Sequence, residues 1–300
     1  MKPKRGFTLV ELLVVMSIIA LLMSLLLPAL LKAKQKANLL KDQAQIKEVH
    51  QAWLTYAPDH KGLFPVPGLI NRKDALMADG TSRPIPGRGD EDSQRNTHAN
   101  LHSVLIMQNY YDPSLCVGPT EPSGSVFVKD DYNWDIANTV TDIYWDETFA
   151  SDLTANSNVS YASMLLGGPA RKDHWRNTMD SQFAVLGNRG VQAGKDDVEN
   201  VYNNSITLKT HGPDKLWEGN ICYNDNHVEL HDTFWPDGIV YRDTSGGAGV
   251  VQSFDDNIFS KQTPTIDASA IFVKADNTDI FLCLTKIETP VVGRFFLAWD

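Results

Sequence analysis

Residues 7–31 read FTLVELLVVMSIIALLMSLLLPALL, and how this stretch is read decides the fold. At about 1.5 Å per residue it is long enough, as a helix, to cross a bilayer. Glu11 is its only ionisable residue, and the basic run Lys2, Lys4, Arg5 precedes it. Such a run stays on the cytoplasmic side. Lys32, Lys34, Lys36 and Lys41 follow the span, however, so cations alone do not set the orientation. Those lysines can snorkel to headgroups of the outer leaflet. Pro28 removes a helix hydrogen bond late in the span, which predicts a kink or a local unwinding there.

Two ordinary readings compete for this segment. A secretory signal peptide also has a basic region followed by an apolar one. Here the apolar run is longer, and the KAKQKANLLKDQ that follows continues as a helix with no evident cleavage site. A plain signal anchor leaves Glu11 unexplained, because an unpaired carboxylate in the membrane costs about 2.5 kcal/mol or more.

Beyond the span the chain stays helix-prone to about Tyr56. Leu39, Ile46 and Trp53 recur every seven residues with Val49 and Tyr56 beside them, while Lys41, Asp42, Gln45 and Glu48 are read as mostly off this apolar stripe. Pro58 and the cluster Gly62, Pro65, Pro67 stop the helix. Residues 79–95 are polar and turn-rich and predict a mobile surface loop. Thr97 is placed to cap a short helix carrying Leu101, Val104 and Leu105 and ending near Tyr111. Short strands are predicted at Val159–Leu166, Phe183–Leu186, Gly219–Asn224, Val228–Leu230, Ala270–Lys274, Ile280–Lys286 and Arg294–Ala298. Turn residues Asp225-Asn226 and Asp276-Asn277 separate some of them, as in antiparallel hairpins. The expected class is α+β, a long N-terminal helix packed on an antiparallel sheet.

Hydrophobic residues make up 42% of the chain, yet a large share of the leucine lies before residue 41 and the remainder of the chain is acidic and polar. The net charge of −10 excludes nucleic acid as a partner, since phosphate binding needs clustered Lys and Arg. Cys116, Cys222 and Cys283 lack CxxC spacing, and their odd number permits one disulfide at most, with buried free thiols the preferred reading.

The stretch Gly6-Phe7-Thr8-Leu9-Val10-Glu11-Leu12, behind a short basic leader, resembles the signal of type IV prepilins and of type II secretion pseudopilins. The resemblance implies a leader of residues 1–6, cut by a prepilin peptidase between Gly6 and Phe7, with Phe7 then N-methylated. Loss of Lys2, Lys4 and Arg5 takes the charge from −10 to −13. The organisation implied is a transmembrane helix over 7–31, an amphipathic continuation over 32–57 and a globular domain over 58–300. The domain is expected in the periplasm, with the anchor in a bacterial inner membrane and the subunit in a filament. Partners implied are other pilin or pseudopilin subunits, the peptidase and an inner-membrane assembly platform. Glu11 takes the family's assembly role, and the physics agrees: a neighbour's freed α-amino group can neutralise it when subunits stack in register. A second element, His227 followed by nine residues and Asp237-Gly238, is similar to the H-X9-DG motif of many pseudopilin-like proteins.

The residues also permit a metal-binding or hydrolytic reading. On a strand, Asp225, His227, Glu229 and His231 share one face, opposite Val228 and Leu230 on the core side. A solvated hairpin face is the preferred account of the same pattern, and the chain is read as a non-enzyme. The acidic run Asp130, Asp131, Asp135, Asp142, Asp146, Glu147, Asp152 offers oxygen ligands for calcium but lacks EF-hand spacing, so solvated loops are preferred. No other cofactor is expected.

Overall fold

The structure is a computed structural model that describes residues 8–85, 87–135, 143–195, 199–211, 216–243, 252–260, 282–286 and 296–297. The chain divides into two compact units, Met1–Lys41 and Asp42–Asp300. Helix α1, Leu9–Tyr56, supplies the described part of the first unit and opens the second. Its sequence is rich in Leu, Ala, Met, Lys and Gln and holds no glycine, so propensity favours helix throughout. It runs on through Pro28 without unwinding.

In the first unit the apolar residues from Leu9 to Leu31 are exposed. A helix that is apolar on every side is built for lipid rather than for a core. Its two serines are satisfied internally, Ser17 Oγ donating to the Val14 carbonyl at 2.8 Å and Ser24 Oγ to that of Leu21 at 2.7 Å.

In the second unit the expected stripe is buried: Ile46, Val49 and Trp53 are fully enclosed and Tyr56 nearly so. Trp53 packs against Trp175 at a ring separation of 4.9 Å and Phe64 at 6.0 Å. One expectation for this stretch fails. Asp42, read as lying off the stripe, is completely buried. The helix ends where expected, a short 3-10 turn over Ala57–His60 leading to Lys61 and Gly62, both at positive φ.

The main sheet has five antiparallel strands: β1 Tyr161–Met164, β2 Ala184–Asn188, β3 Gly219–Tyr223, β4 Val228–His231 and β5 Leu282–Cys283, in the order β4-β3-β2-β1-β5. Each lies on or overlaps a predicted strand. The expected strand Ala270–Lys274 and the turn Asp276-Asn277 lie outside the described residues. β2 and β3 approach closely at Gly187, where a Cβ would sit 2.6 Å from Ile221 Cδ1 and 2.8 Å from the Asn220 carbonyl oxygen. Among the described residues, three further antiparallel pairs stand apart from this sheet: Ala75–Leu76 with Ser82–Arg83, Val240–Asp243 with Gln252–Asp255, and Thr285–Lys286 with Phe296–Leu297.

Helix α2, His98–Met107, begins as predicted: Thr97 Oγ1 accepts from the Asn100 N–H at 3.2 Å. The polar segment 79–95 is tethered at its far end, where Glu91 accepts from Arg171 at 2.7 Å and from Asn96 at 2.6 Å.

Candidate functional site

Gly6 and Phe7 lie outside the described residues, so the site begins at Thr8. Thr8 caps α1 reciprocally with Glu11. Glu11 Oε2 accepts from the Thr8 backbone N–H at 2.8 Å and from its hydroxyl at 2.7 Å, while the Glu11 N–H reaches Thr8 Oγ1 at 3.3 Å. This is the Thr-x-x-Glu capping box, which was legible as a spacing but which the sequence reading passed over. Part of the carboxylate's need for a donor is therefore met within its own chain, through Oε2.

The 225–231 segment forms the turn and outer strand of the β3–β4 hairpin. The turn closes with the Asn226 N–H on the Tyr223 carbonyl at 2.9 Å, and Asn226 adopts φ +70°, a left-handed conformation that asparagine tolerates. Asn226 does more than turn the chain. His50 Nδ1 donates to its Oδ1 at 3.0 Å, and its own amide donates to Gln51 Oε1 at 2.9 Å, fixing the hairpin to α1. A glycine at this position could make neither bond.

Asp225, His227, Glu229 and His231 do gather on one side of the hairpin. His227 Nδ1 contacts Asp225 Oδ1, and the His227 ring stacks on Tyr223 at 4.4 Å. His231 Nε2 meets the Tyr223 hydroxyl at 2.9 Å. Glu229 reaches the two rings only at 3.9 Å (His227) and 3.7 Å (His231). One ring nitrogen of His231 is thus bonded to a phenol, and among the described residues no group of three His, Cys, Asp or Glu is disposed to hold a metal ion. Burial, then the Glu229 charge, pushes the Tyr223 pKa well above its ordinary value, so the phenol donates and His231 accepts. Burial lowers the His231 pKa although Glu229, Asp232 and Asp237 oppose it. Asp225 is held below its ordinary value against its partial burial by the His227 N–H and ring. The expectation that Leu230 lies on the core side needs correcting, because it is 46% exposed. β4 is an edge strand; Val228 packs partly buried against the core, and its carbonyl accepts from Gln43 Nε2.

Asp237 and Gly238 form a turn in which the Ile239 N–H bonds the Pro236 carbonyl at 3.2 Å and Gly238 takes φ +80°. A Cβ there would meet nothing within 4 Å, so the backbone conformation, and not crowding, calls for glycine.

One fully buried polar node was missed by sequence reasoning. Asp42, on α1, accepts from the Tyr161 hydroxyl (β1) at 3.0 Å, from His211 Nε2 at 3.0 Å and from Asn220 Nδ2 (β3) at 2.8 Å. Burial and then the Asp42 charge push the Tyr161 pKa well above its ordinary value, which keeps the phenol a donor. Beside this node Arg189 forks onto Glu121, Nη2 to Oε1 at 2.8 Å and Nη1 to Oε2, both side chains being buried. A signal for Asp42 existed: positions 39, 42, 46, 49, 53 and 56 follow the three- and four-residue spacing of one helix face.

Of the acids expected to offer calcium ligands, Asp131, Asp146, Glu147 and Asp152 have partners within the protein, and Asp142 lies outside the described residues. Asp146 Oδ1 accepts from Thr148 N–H at 2.8 Å and Oδ2 from Asn133 N–H at 3.0 Å. Asp131 pairs with Lys129 at 2.7 Å, and Glu147 pairs with Arg95. Cys116, Cys222 and Cys283 are free and buried. Burial raises the Cys116 pKa well above its ordinary value, so beside His102, at 3.4 Å, it stays a thiol.

Three imidazoles are buried neutral. Burial lowers His50 and His98 to about 4 and His102 to about 3. Unfolded, each titrates near its ordinary value of about 6.5. Between the two values the unfolded chain binds protons that the folded chain does not, so stability falls as pH drops through this window. The slope is about 1.4 kcal/mol per pH unit for each imidazole. Guanidinium midpoints at pH 7 and pH 5 are expected to show a marked loss at pH 5, and equal midpoints would contradict it.

With the geometry in hand, the comparisons with known proteins bear on the N-terminus. Residues 1–27 match the family model described as the prokaryotic N-terminal methylation motif. No curated protein and no solved structure matches the chain. The N-terminus therefore carries a prepilin-type methylation signal. It stands ahead of a helix long and apolar enough to span a membrane, followed by an antiparallel-sheet domain, an α+β arrangement consistent with a pilin-like fold.

Proposed function

We propose that this chain is a structural, non-catalytic pseudopilin-like subunit. It is cut between Gly6 and Phe7, methylated on Phe7, and assembled through α1 into a type II secretion or type IV pilus-like filament. Its anchor crosses the inner membrane and its acidic domain faces the periplasm. The H-X9-DG-like spacing of His227, Asp237 and Gly238 supports reading it as nearer the pseudopilin-like proteins than the pilins at large. The observation that carries this reading is the methylation-type signal joined without a break to a 48-residue helix that ends inside a sheet domain. A discarded signal peptide has no reason to continue into the core, where Ile46, Val49 and Trp53 are fully buried.

Mass spectrometry of the mature N-terminus is the direct test. The expected species begins at Phe7 and carries one added methyl group. A chain beginning near residue 30 would overturn the proposal.

A further inference from the structure

Immediately after its apolar span α1 carries Lys32, Lys34, Lys36 and Lys41, all exposed. Between Glu11 and Asp42 there is no acid, and no Asp or Glu stands three or four residues from any of the four lysines, so the helix offers them no intrahelical ion pair. With 3.6 residues per turn, Lys32 and Lys36 fall on one side and Lys34 and Lys41 on the opposite side. A contact with one protein partner would need the charges on one face. Charges on opposite sides suit a medium that surrounds the helix.

We propose that these four lysines form a collar that binds the phosphate headgroups of anionic phospholipids where α1 leaves the outer face of the bilayer. The proposal rests on α1 being a membrane anchor. The stretch from Leu9 to Leu31 is about 34 Å long at about 1.5 Å per residue, and a bilayer's hydrocarbon core is about 30 Å thick. That puts Lys32 at the boundary, Lys36 about 6 Å beyond it within the headgroup layer, and Lys41 about 14 Å beyond it, from where its long side chain reaches back towards the phosphates. Between Lys32, Lys34 and Lys36 stand only Ala33 and Gln35, uncharged and small or slender, leaving room for the long side chains to swing to phosphates.

Charge asymmetry identifies the one protein rival. Residues 1–41 sum to +6 and residues 42–300 to −16, which together give the −10 of the chain, so the acidic domain of a second copy could also attract the collar. The two-sided distribution favours lipid. Removal of Lys2, Lys4 and Arg5 with the leader leaves the collar as the only side-chain cations of the anchor, so it sets the depth at which the mature helix rests.

The test places the full mature chain in bilayers of equal parts phosphatidylglycerol and phosphatidylcholine. Native mass spectrometry of the extracted protein then counts the lipids retained. Preferential retention of phosphatidylglycerol is expected, falling about fivefold for each lysine replaced by glutamine. It is expected to survive when all four lysines become arginine. Equal retention of the two lipids, or retention unchanged in Lys32→Gln/Lys34→Gln/Lys36→Gln/Lys41→Gln, overturns the collar. So does a quadruple variant that loses only cross-links to the acidic domain of a second copy. A chain that fails to enter the bilayer at all refutes the anchor itself, a result distinct from loss of lipid preference.

Discussion

An Asp42→Ala chain is expected to lose about 3–5 kcal/mol of folding stability, the cost of removing one partner from a buried charged cluster. That is a large fraction of the roughly 5–15 kcal/mol by which a domain is stable. Three donors converge on this carboxylate, and alanine removes the acceptor they share: the Tyr161 hydroxyl, Asn220 Nδ2 and His211 Nε2. Gly118 shows how little room there is for repair, since a Cβ there would already stand 3.1 Å from Asp42 Oδ1. Asp42→Asn keeps the shape and one acceptor oxygen, so a smaller loss is expected. Guanidinium unfolding of the full chain in detergent, read by tryptophan fluorescence, measures both, because Trp53 and Trp175 are wholly buried and in contact. If Asp42→Ala costs less than about 1 kcal/mol, the typical worth of an exposed pair, the node is not what fixes the helix to the sheet.

Asp42 also marks where sequence reading stopped. Apolar periodicity located the buried face of α1 at Ile46, Val49, Trp53 and Tyr56, because burial of large side chains is imposed by the helix period alone. Thr97 and the turn at Asp225-Asn226 were legible for a similar reason, since caps and turns are decided within four residues. The partners of Asp42 lie 119, 169 and 178 residues away, and no local pattern announces them. The same holds for Asn226, whose second duty is a pair of bonds to His50 and Gln51. The pair Val240–Asp243 and Gln252–Asp255 escaped because VYRD and QSFD are short and half polar, and strand formation there depends on finding each other. For the 225–231 face the periodicity brought the four side chains together but wrongly put Leu230 on the core side. It could not foresee that Tyr223, from the neighbouring strand, would take up the ring nitrogen of His231.

A Glu11→Ala subunit is expected to be cut and methylated normally yet to enter filaments poorly, by on the order of a hundredfold. An unpaired carboxylate in the membrane costs about 2.5–3.5 kcal/mol, and pairing it with the amine that cleavage frees on a neighbour recovers that cost only on assembly. The capping box changes how this must be tested. Because Thr8 already donates twice to Oε2, alanine at position 11 removes a helix cap as well as a charge. Losing a cap costs only about 1 kcal/mol, less than tenfold in an equilibrium. Thr8→Val, which keeps the charge and loses the hydroxyl's part in the cap, is therefore expected to assemble nearly as well as the parent. Glu11→Gln, which keeps a side-chain acceptor for Thr8 and loses the charge, is expected to behave like Glu11→Ala. Incorporation measured by co-sedimentation with sheared filaments separates the two effects. If Thr8→Val fails as badly as Glu11→Ala, Glu11 serves the helix end of its own chain and the pairing between subunits is wrong.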